Sequence, residues 1–273
     1  MDSSTDSQDC LLYSTPSKYI QLLMHVLVGL PRGGRCGGFG QCALANILPF
    51  DDELRLFGND WPPFGYTMVG STRLENFRAA IDEVNRNAIP GHIIELGVWR
   101  GGSMVMAAAV MAESKRMKRD LFLFDIFGDI AGYGTSTSFL AVPEEEVRKA
   151  FDSFDLSGPH LHFVKGLFKD TLPAWKDKQD QQIAVLRIDG NFYDSYQDAL
   201  YYLYEKVPIG GIVIFDDVMS HPSVMRAWTD FKKEQGLVEN INRIDKHSAW
   251  FRKEKVIKID WSFFREPKDA NKI

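Results

Sequence analysis

The chain has 273 residues, enough for one α/β domain with a modest extension and a large single core. A hydrophobic content of 45% with 25% charged residues is that of a soluble globular protein, and a formal net charge of −5 gives no support to a nucleic-acid partner. Three cysteines, Cys10, Cys36 and Cys42, lie in the N-terminal segment without a Cys-x-x-Cys pair, which argues against a disulfide framework or structural zinc and favours a reducing, cytoplasmic compartment.

The first 15 or so residues are polar, and a helix is expected from Ser17 to Leu30. Its apolar part, from Tyr19, is too short and interrupted to span a bilayer and lacks a signal peptide's basic start and cleavage pattern, so no membrane partner is expected. Pro31 to Gly40 is dense in glycine. No strand leads into it and no Gly-Lys-Ser/Thr follows, so it reads as a flexible or lid-like linker rather than a phosphate loop. Residues 1–50 therefore form an N-terminal helical extension, a lid or an oligomerisation segment, and 51–273 the main domain. Asp60-Trp61-Pro62-Pro63-Phe64 is a stiff aromatic turn. Leu74, Phe77, Ala80, Ile81 and Val84 then mark one buried stripe of a helix over Ser71 to Asn87.

From residue 92 the pattern alternates. Strand-like runs at 92–96, 120–125, 161–164, 183–188 and 211–216 are separated by helix-like segments at 102–118, 143–155, 168–177, 194–206 and 221–235. Repeated βα alternation builds a parallel sheet with helices on both faces. The basic run 115–119 reads as a solvated helix C-terminus. Two further runs, 241–244 and 249–251, suit an antiparallel hairpin at one edge. The resulting mostly parallel seven-stranded sheet is the Rossmann-like class I methyltransferase fold, which element counts alone do not separate from a dehydrogenase.

Ligands on such sheets sit beyond the carboxyl ends of the strands. After the first strand the spacing is Glu-x-Gly-x-x-x-Gly-Gly-Ser, from Glu95 to Ser103, not the Gly-x-Gly-x-x-Gly of dinucleotide sites. That looser turn suits a ligand without a pyrophosphate, S-adenosylmethionine, whose amino-acid end is expected at the backbone of Gly97 and the N–H groups near Gly102 and Ser103, with Glu95 a further candidate cofactor residue and a plain strand-to-helix turn the alternative. Asp125, ending the second strand, is placed for ribose hydroxyls, with a helix cap as the alternative. Gly166-Leu167-Phe168 follows the third strand and is a candidate flank for the adenine.

Asp189 ends the fourth strand, and Asp216 and Asp217 the fifth. Clustered carboxylates repel unless a cation neutralises them, and an all-oxygen set points to Mg²⁺. The alternative has Asp216 or Asp217 capping a helix while Asp189 faces water. Asp189 is also a candidate cofactor contact and, with the cation, a catalytic residue. His221 is a candidate general base, since imidazole exchanges protons near neutral pH, although Pro222 places it where a surface histidine is common. His247, His160 and His162 read as structural. Trp99 and Phe192 read as packing residues able to border the pocket, and Tyr193 as substrate-positioning or packing.

Trp61 to Gly70 with Arg73-Leu74-Glu75-Asn76, then Glu95 to Gly102, then Leu186 to Ser195 resemble the macrocin O-methyltransferase family, over about residues 54–253. The resemblance implies an S-adenosylmethionine enzyme that uses Mg²⁺ to methylate sugar hydroxyls of natural products. It implies that Asp189, Asp216 and Asp217 ligate Mg²⁺, that Gly97 and Asp125 contact the cofactor, and that Tyr66, Thr67, Met68 and Val69 close over it. Tyr133 to Leu140 falls at a substrate-facing loop, and a homo-oligomer is expected. Two departures stand out. Asn191 replaces the family's second acid two residues after the first metal aspartate, and the loop Gly132 to Ser138 carries no histidine or acid. The expected function is Mg²⁺-dependent O-methylation of a small-molecule hydroxyl acceptor, a sugar or other vicinal diol. The rivals are an NAD-dependent oxidoreductase and a non-catalytic binding protein of the same fold.

Overall fold

The computed structural model describes residues 11, 14–37, 47–114, 117–129, 139–178 and 181–265. Eight helices are described: α1 (Lys18–Leu27), α2 (Asp52–Leu56), α3 (Gly70–Arg86), α4 (Gly102–Glu113), α5 (Glu144–Ser153), α6 (Phe168–Lys176), α7 (Tyr193–Leu203) and α8 (Pro222–Glu234). The strands are β1 (His92–Leu96), β2 (Leu121–Asp125), β3 (Leu161–Lys165), β4 (Ile183–Ile188), β5 (Ile212–Phe215), β6 (Asn242–Arg243) and β7 (Ala249–Arg252). They form one seven-stranded sheet ordered β3-β2-β1-β4-β5-β7-β6. The first five pair in parallel, and β7 runs antiparallel to both β5 and β6, as the terminal hairpin predicts. Strand order reverses at β1, so the crevice between the β1 and β4 ends is where a ligand belongs.

Side chains alternate between two cores. Ile93, Val185, Ile212 and Ile214 face α3, α4 and α5, while Ile94, Leu96, Leu186, Ile188 and Phe215 face α6, α7 and α8. With both faces covered, all six residues of β4 are buried, which is why its sequence is a continuous apolar run broken only by Arg187. Helix α4 is apolar on every side because the sheet covers one face and α1 and α3 cover others. Helix α1 contributes Ile20, Leu23, Met24 and Leu27 to that core, and Ser17 caps it by accepting from the Ile20 N–H at 3.1 Å.

Three sequence expectations change. Helix α4 stops at Glu113, and the last member of the basic run turns inward. Arg119 is buried and donates to Asn85 Oδ1 at 2.7 Å, to Ile89 O at 2.6 Å and to Gly91 O, so it neutralises the carbonyl end of α3 instead of facing solvent. Helix α2 was not visible in the sequence, being too short to show a period. Its Arg55 is buried, binds both oxygens of Asp60, and donates to Val28 O and Gly34 O, which ties the N-terminal segment to the domain. Cys36 is disulfide-bonded, where the cysteine spacing argues against disulfides.

Lys253, at the end of β7, is 1% exposed. Its ammonium donates to Tyr204 O at 2.9 Å and lies 4.4 Å from the Tyr204 ring centroid. Burial pulls its pKa down to about 8, against the pull of Glu205 and Glu239. Between that value and its ordinary 10.5 the unfolded chain binds more protons than the folded one, so stability rises with pH in that window. Denaturant titrations should show the wild type gaining stability relative to Lys253→Met as pH rises from about 8 toward 10.5. A constant difference would refute the assignment.

Candidate active site

Backbone hydrogen bonds bring the strand ends together. Gly97 N–H donates to Phe124 O at 2.8 Å, Asp189 N–H to Leu96 O at 2.8 Å, and Asp216 N–H to Ile188 O at 2.9 Å. Gly97 has φ +89°, and a Cβ there would lie 2.0 Å from Asp189 O. Only glycine permits β1 and β4 to emerge this close together. Asp125 supports the same turn. Its Oδ2 accepts from Val98 N–H at 2.7 Å and Trp99 N–H at 3.1 Å, and its Oδ1 from Phe127 N–H at 2.9 Å.

These ends open onto a cavity of about 540 Å³. It is lined by Thr67, Met68, Glu95, Gly97, Ser103 and Asp125 from the expected donor half, and by Asp189, Asp216, Asp217 and His221 from the expected cation half. Gly166, the other candidate, is not among its lining residues. The Gly166 N–H instead pairs with Asp125 O at 2.9 Å, which makes it a turn residue behind the pocket. Of the Tyr133 to Leu140 loop only Phe139 and Leu140 lie within the described residues, and Leu140 lines the cavity.

The donor half is partly closed by the N-terminal segment. Gly102 N–H, expected to face a ligand, donates to Tyr66 O at 2.9 Å, and a Cβ on Gly102 would meet the Tyr66 carbonyl carbon at 2.6 Å. Arg100 donates to Gly65 O at 2.9 Å while its guanidinium lies 4.3 Å from the Trp99 ring centroid. Trp99 has φ +48°, a strained conformation for a bulky residue, and its indole N–H donates to Phe139 O at 3.0 Å. Trp99 and Phe192 both line the cavity.

The cation half is a set of three carboxylates. Asp189, Asp216 and Asp217 each present an oxygen within 4.8 Å of the others. They are not equivalent. Asp216 gives Oδ2 to Arg73 Nη1 at 2.6 Å and Oδ1 to Arg187 Nη2 at 2.6 Å. Burial works to raise its pKa, but Arg73 and Arg187 override this and hold it below the ordinary carboxylate value. Asp189 is pushed up to about 8 by burial and then by Asp216, and Asp217 to about 7 by the same two causes. At these two carboxyls burial and the Asp216 charge outweigh the pull of Arg187 and Arg73. Oxygen-only donors, convergence and excess negative charge together fit a hard divalent cation.

Arg187 Nη1 lies 2.5 Å from Glu95 Oε1 and 3.0 Å from Asp189 Oδ2. Ser103 Oγ lies 2.6 and 2.7 Å from the two Glu95 oxygens. Burial lifts Glu95 to about 7 against the pull of Arg187 and Ser103. Arg73 continues the series, with Nε 3.2 Å from Asp245 Oδ2 and Nη2 donating to Phe57 O at 3.2 Å. The sequence reading passed over both arginines. The signal was present for Arg187, since a charge inside a fully buried strand requires a partner.

His221 caps α8 and is half-exposed, with Nδ1 3.6 Å from Asp217 Oδ1. His247 lines the cavity, with Nε2 2.6 Å from Asn59 Oδ1, so it is more than the structural residue expected. His162 stacks on Phe122 at 4.5 Å, a packing role. Tyr193 donates to Asp230 Oδ2 at 2.8 Å and is not a lining residue. Among the described residues no helix is long and apolar enough to cross a membrane.

A family model described as Macrocin-O-methyltransferase (TylF) matches residues 40–253. The demethyldecarbamoylnovobiocin O-methyltransferase of Streptomyces niveus is 35% identical over 217 residues, covering 75% of this chain and 82% of that protein. The 8-demethyl-8-(2,3-dimethoxy-alpha-L-rhamnosyl)-tetracenomycin-C 4'-O-methyltransferase of Streptomyces olivaceus is 34% identical, covering 74% and 81%. The solved structure of the O-methyltransferase NovP superposes with a TM-score of 0.77 at 32% identity, covering 87% of this chain and 98% of that one. The chain belongs to the macrocin-O-methyltransferase family and is an S-adenosylmethionine-dependent O-methyltransferase.

Proposed function

We propose that the protein methylates a hydroxyl of a small molecule, a sugar or other vicinal diol, with Mg²⁺ held at Asp189, Asp216 and Asp217. The observation that carries this reading is the convergence of three carboxylates in the same cavity as the Gly97 turn. The Streptomyces olivaceus relative is named for an acceptor bearing a rhamnosyl group, which supports a sugar. Neither the oxidoreductase nor the non-catalytic reading gains an observation.

On this reading S-adenosylmethionine, when bound, supplies the methyl group and leaves as S-adenosylhomocysteine once the acceptor oxygen has displaced sulfur. The cation, when bound, supplies positive charge that eases loss of the acceptor's hydroxyl proton. The chain's own residues do the positioning. Gly97 lets the backbone approach the donor, and Glu95 and Ser103 form the wall behind it. Thr67 and Met68 cover the donor, and Asp125 holds the turn in place while facing the cavity. Asp189, Asp216 and Asp217 would each offer the cation an oxygen, with Arg73 and Arg187 orienting Asp216 and Arg187 also reaching Asp189. His221, beside Asp217, takes the acceptor proton, a role the Asn191 amide cannot fill.

Chelator treatment should abolish methyl transfer and added Mg²⁺ should restore it. Asp217→Asn should lower kcat by roughly 10²-fold. Undiminished turnover after chelation removes the cation from the reaction.

Replacing His221 by Gln should lower kcat by about 10²-fold or more with the acceptor KM little changed. A variant with wild-type kcat shows that the proton leaves by another route.

In Gly97→Ala the new methyl overlaps Asp189 O and the backbone is held at positive φ, costing about 1–3 kcal/mol. The variant should melt lower and bind S-adenosylhomocysteine at least tenfold more weakly by calorimetry, about 1.4 kcal/mol or more. Wild-type affinity means that the close approach of β1 and β4 does not shape the donor site.

A further inference from the structure

We propose that Arg187 is a positioning residue that sets both halves of the active site at once, orienting Glu95 in the donor half and Asp189 and Asp216 in the cation half through one guanidinium. The inference rests on the two-ligand reading above. Strand β4 lies between β1 and β5, and Arg187 is in register with Glu95 on one side and Ile214 on the other. Its side chain therefore leaves the sheet beside that of Glu95, toward α3 and α4. One arm of the fork, Nη1, reaches Glu95 at 2.5 Å and Asp189 at 3.0 Å. The other arm, Nη2, reaches Asp216 at 2.6 Å.

The geometry is that of a rigid planar spacer. Glu95 is fixed from its far side by Ser103 of α4, and Asp216 from its far side by Arg73 of α3. Arg187 is the link between these two fixed ends, so the separation of its arms sets the separation of the two carboxylates. A lysine carries the same charge but concentrates it at one point, and cannot serve Glu95 and Asp216 from opposite arms of a plane. A purely structural arginine would lower the melting temperature when replaced and leave the ligand affinities of the folded protein unchanged. A positioning arginine weakens both ligands in a protein that is still folded.

The test uses the full chain, with Mn²⁺ titrated in donor-free buffer and S-adenosylhomocysteine titrated in metal-free buffer, alongside thermal melts. Arg187→Lys is expected to fold and to bind each ligand at least tenfold more weakly. Glu95→Gln is the second variant. Glu95 is not one of the three clustered aspartates, yet its loss releases one arm of Arg187, so Mn²⁺ binding should also weaken. Unchanged Mn²⁺ binding by Glu95→Gln overturns the proposal, as does a folded Arg187→Lys in which only one affinity falls or neither does. A wild type that binds S-adenosylhomocysteine but no Mn²⁺ defeats the cation reading itself, an outcome distinct from unaffected variants of a Mn²⁺-binding wild type.

Discussion

The buried charges at the ends of β1, β4 and β5 are the constraint around which this site is organised. Ser103, Glu95, Arg187, Asp216, Arg73 and Asp245 form a continuous series of hydrogen bonds and ion pairs, every member of it buried. Taking such groups out of water costs several kcal/mol per ion, and the cost is offset only where each charge meets an opposite one with good geometry. Here hydrogen-bonded ion pairs join Glu95, Arg187, Asp216 and Arg73, and the last link, Arg73 Nε to Asp245 Oδ2 at 3.2 Å, is an ion pair alone. At Glu95, Asp189 and Asp217 burial outweighs the arginines and raises the pKa, even though Arg187 reaches both Glu95 and Asp189, whereas at Asp216 the arginines prevail. Asp216 is thus the acid the arginines hold most firmly.

The same series accounts for the placement of the N-terminal segment. Arg73 donates to Phe57 O and Gly58 O, Arg100 to Gly65 O, and Gly102 N–H to Tyr66 O. Residues 57–66 are therefore fastened to α3, to the β1 turn and to the start of α4 by their own carbonyls. The free N–H groups that a helix start normally offers are partly used by the protein, so the donor half of the cavity is a shaped compartment rather than an open helix end. Trp99, strained at φ +48°, ties that compartment to Phe139 through its indole N–H.

Much of this was legible in the sequence because period and punctuation are local. The stripe Leu74, Phe77, Ile81 and Val84 becomes part of the buried face of α3, and each apolar run ending in Asp125, Asp189 or Asp216 becomes a strand ending at or just before that acid, while Glu95 lies one residue inside β1. What escaped was pairing across distance. Arg187 interrupts an apolar run and could have been flagged, but its three partners come from three strands. Arg73 sits among polar residues of α3, with nothing nearby to mark Asp216, 143 residues away, as its partner. Arg119 looked like the exposed end of a helix because its true partners, Asn85 and the carbonyls after α3, lie about 30 residues upstream.

The departures from the family pattern acquire a physical meaning within this frame. Asn191 lines the cavity where an acid would have added another negative charge to a cluster whose Asp189 and Asp217 already resist ionisation. An amide keeps the hydrogen-bonding capacity without that charge, and so lowers the electrostatic cost of the assembled site. It also removes a proton acceptor, which on the proposed reading transfers that task to an imidazole. His221 stands beside Asp217 and His247 is held by Asn59, both at the cavity wall. Of the two, His247 has one ring nitrogen engaged at 2.6 Å and its pKa lowered, first by burial and then by Arg73. His221, whose Nδ1 lies 3.1 Å from Ser220 Oγ, is the more exposed, so on the proposed reading a proton it takes can pass on to solvent. On the proposed reading, Asn191 in place of a carboxylate and a histidine on the loop after the neighbouring strand are two parts of the same electrostatic arrangement.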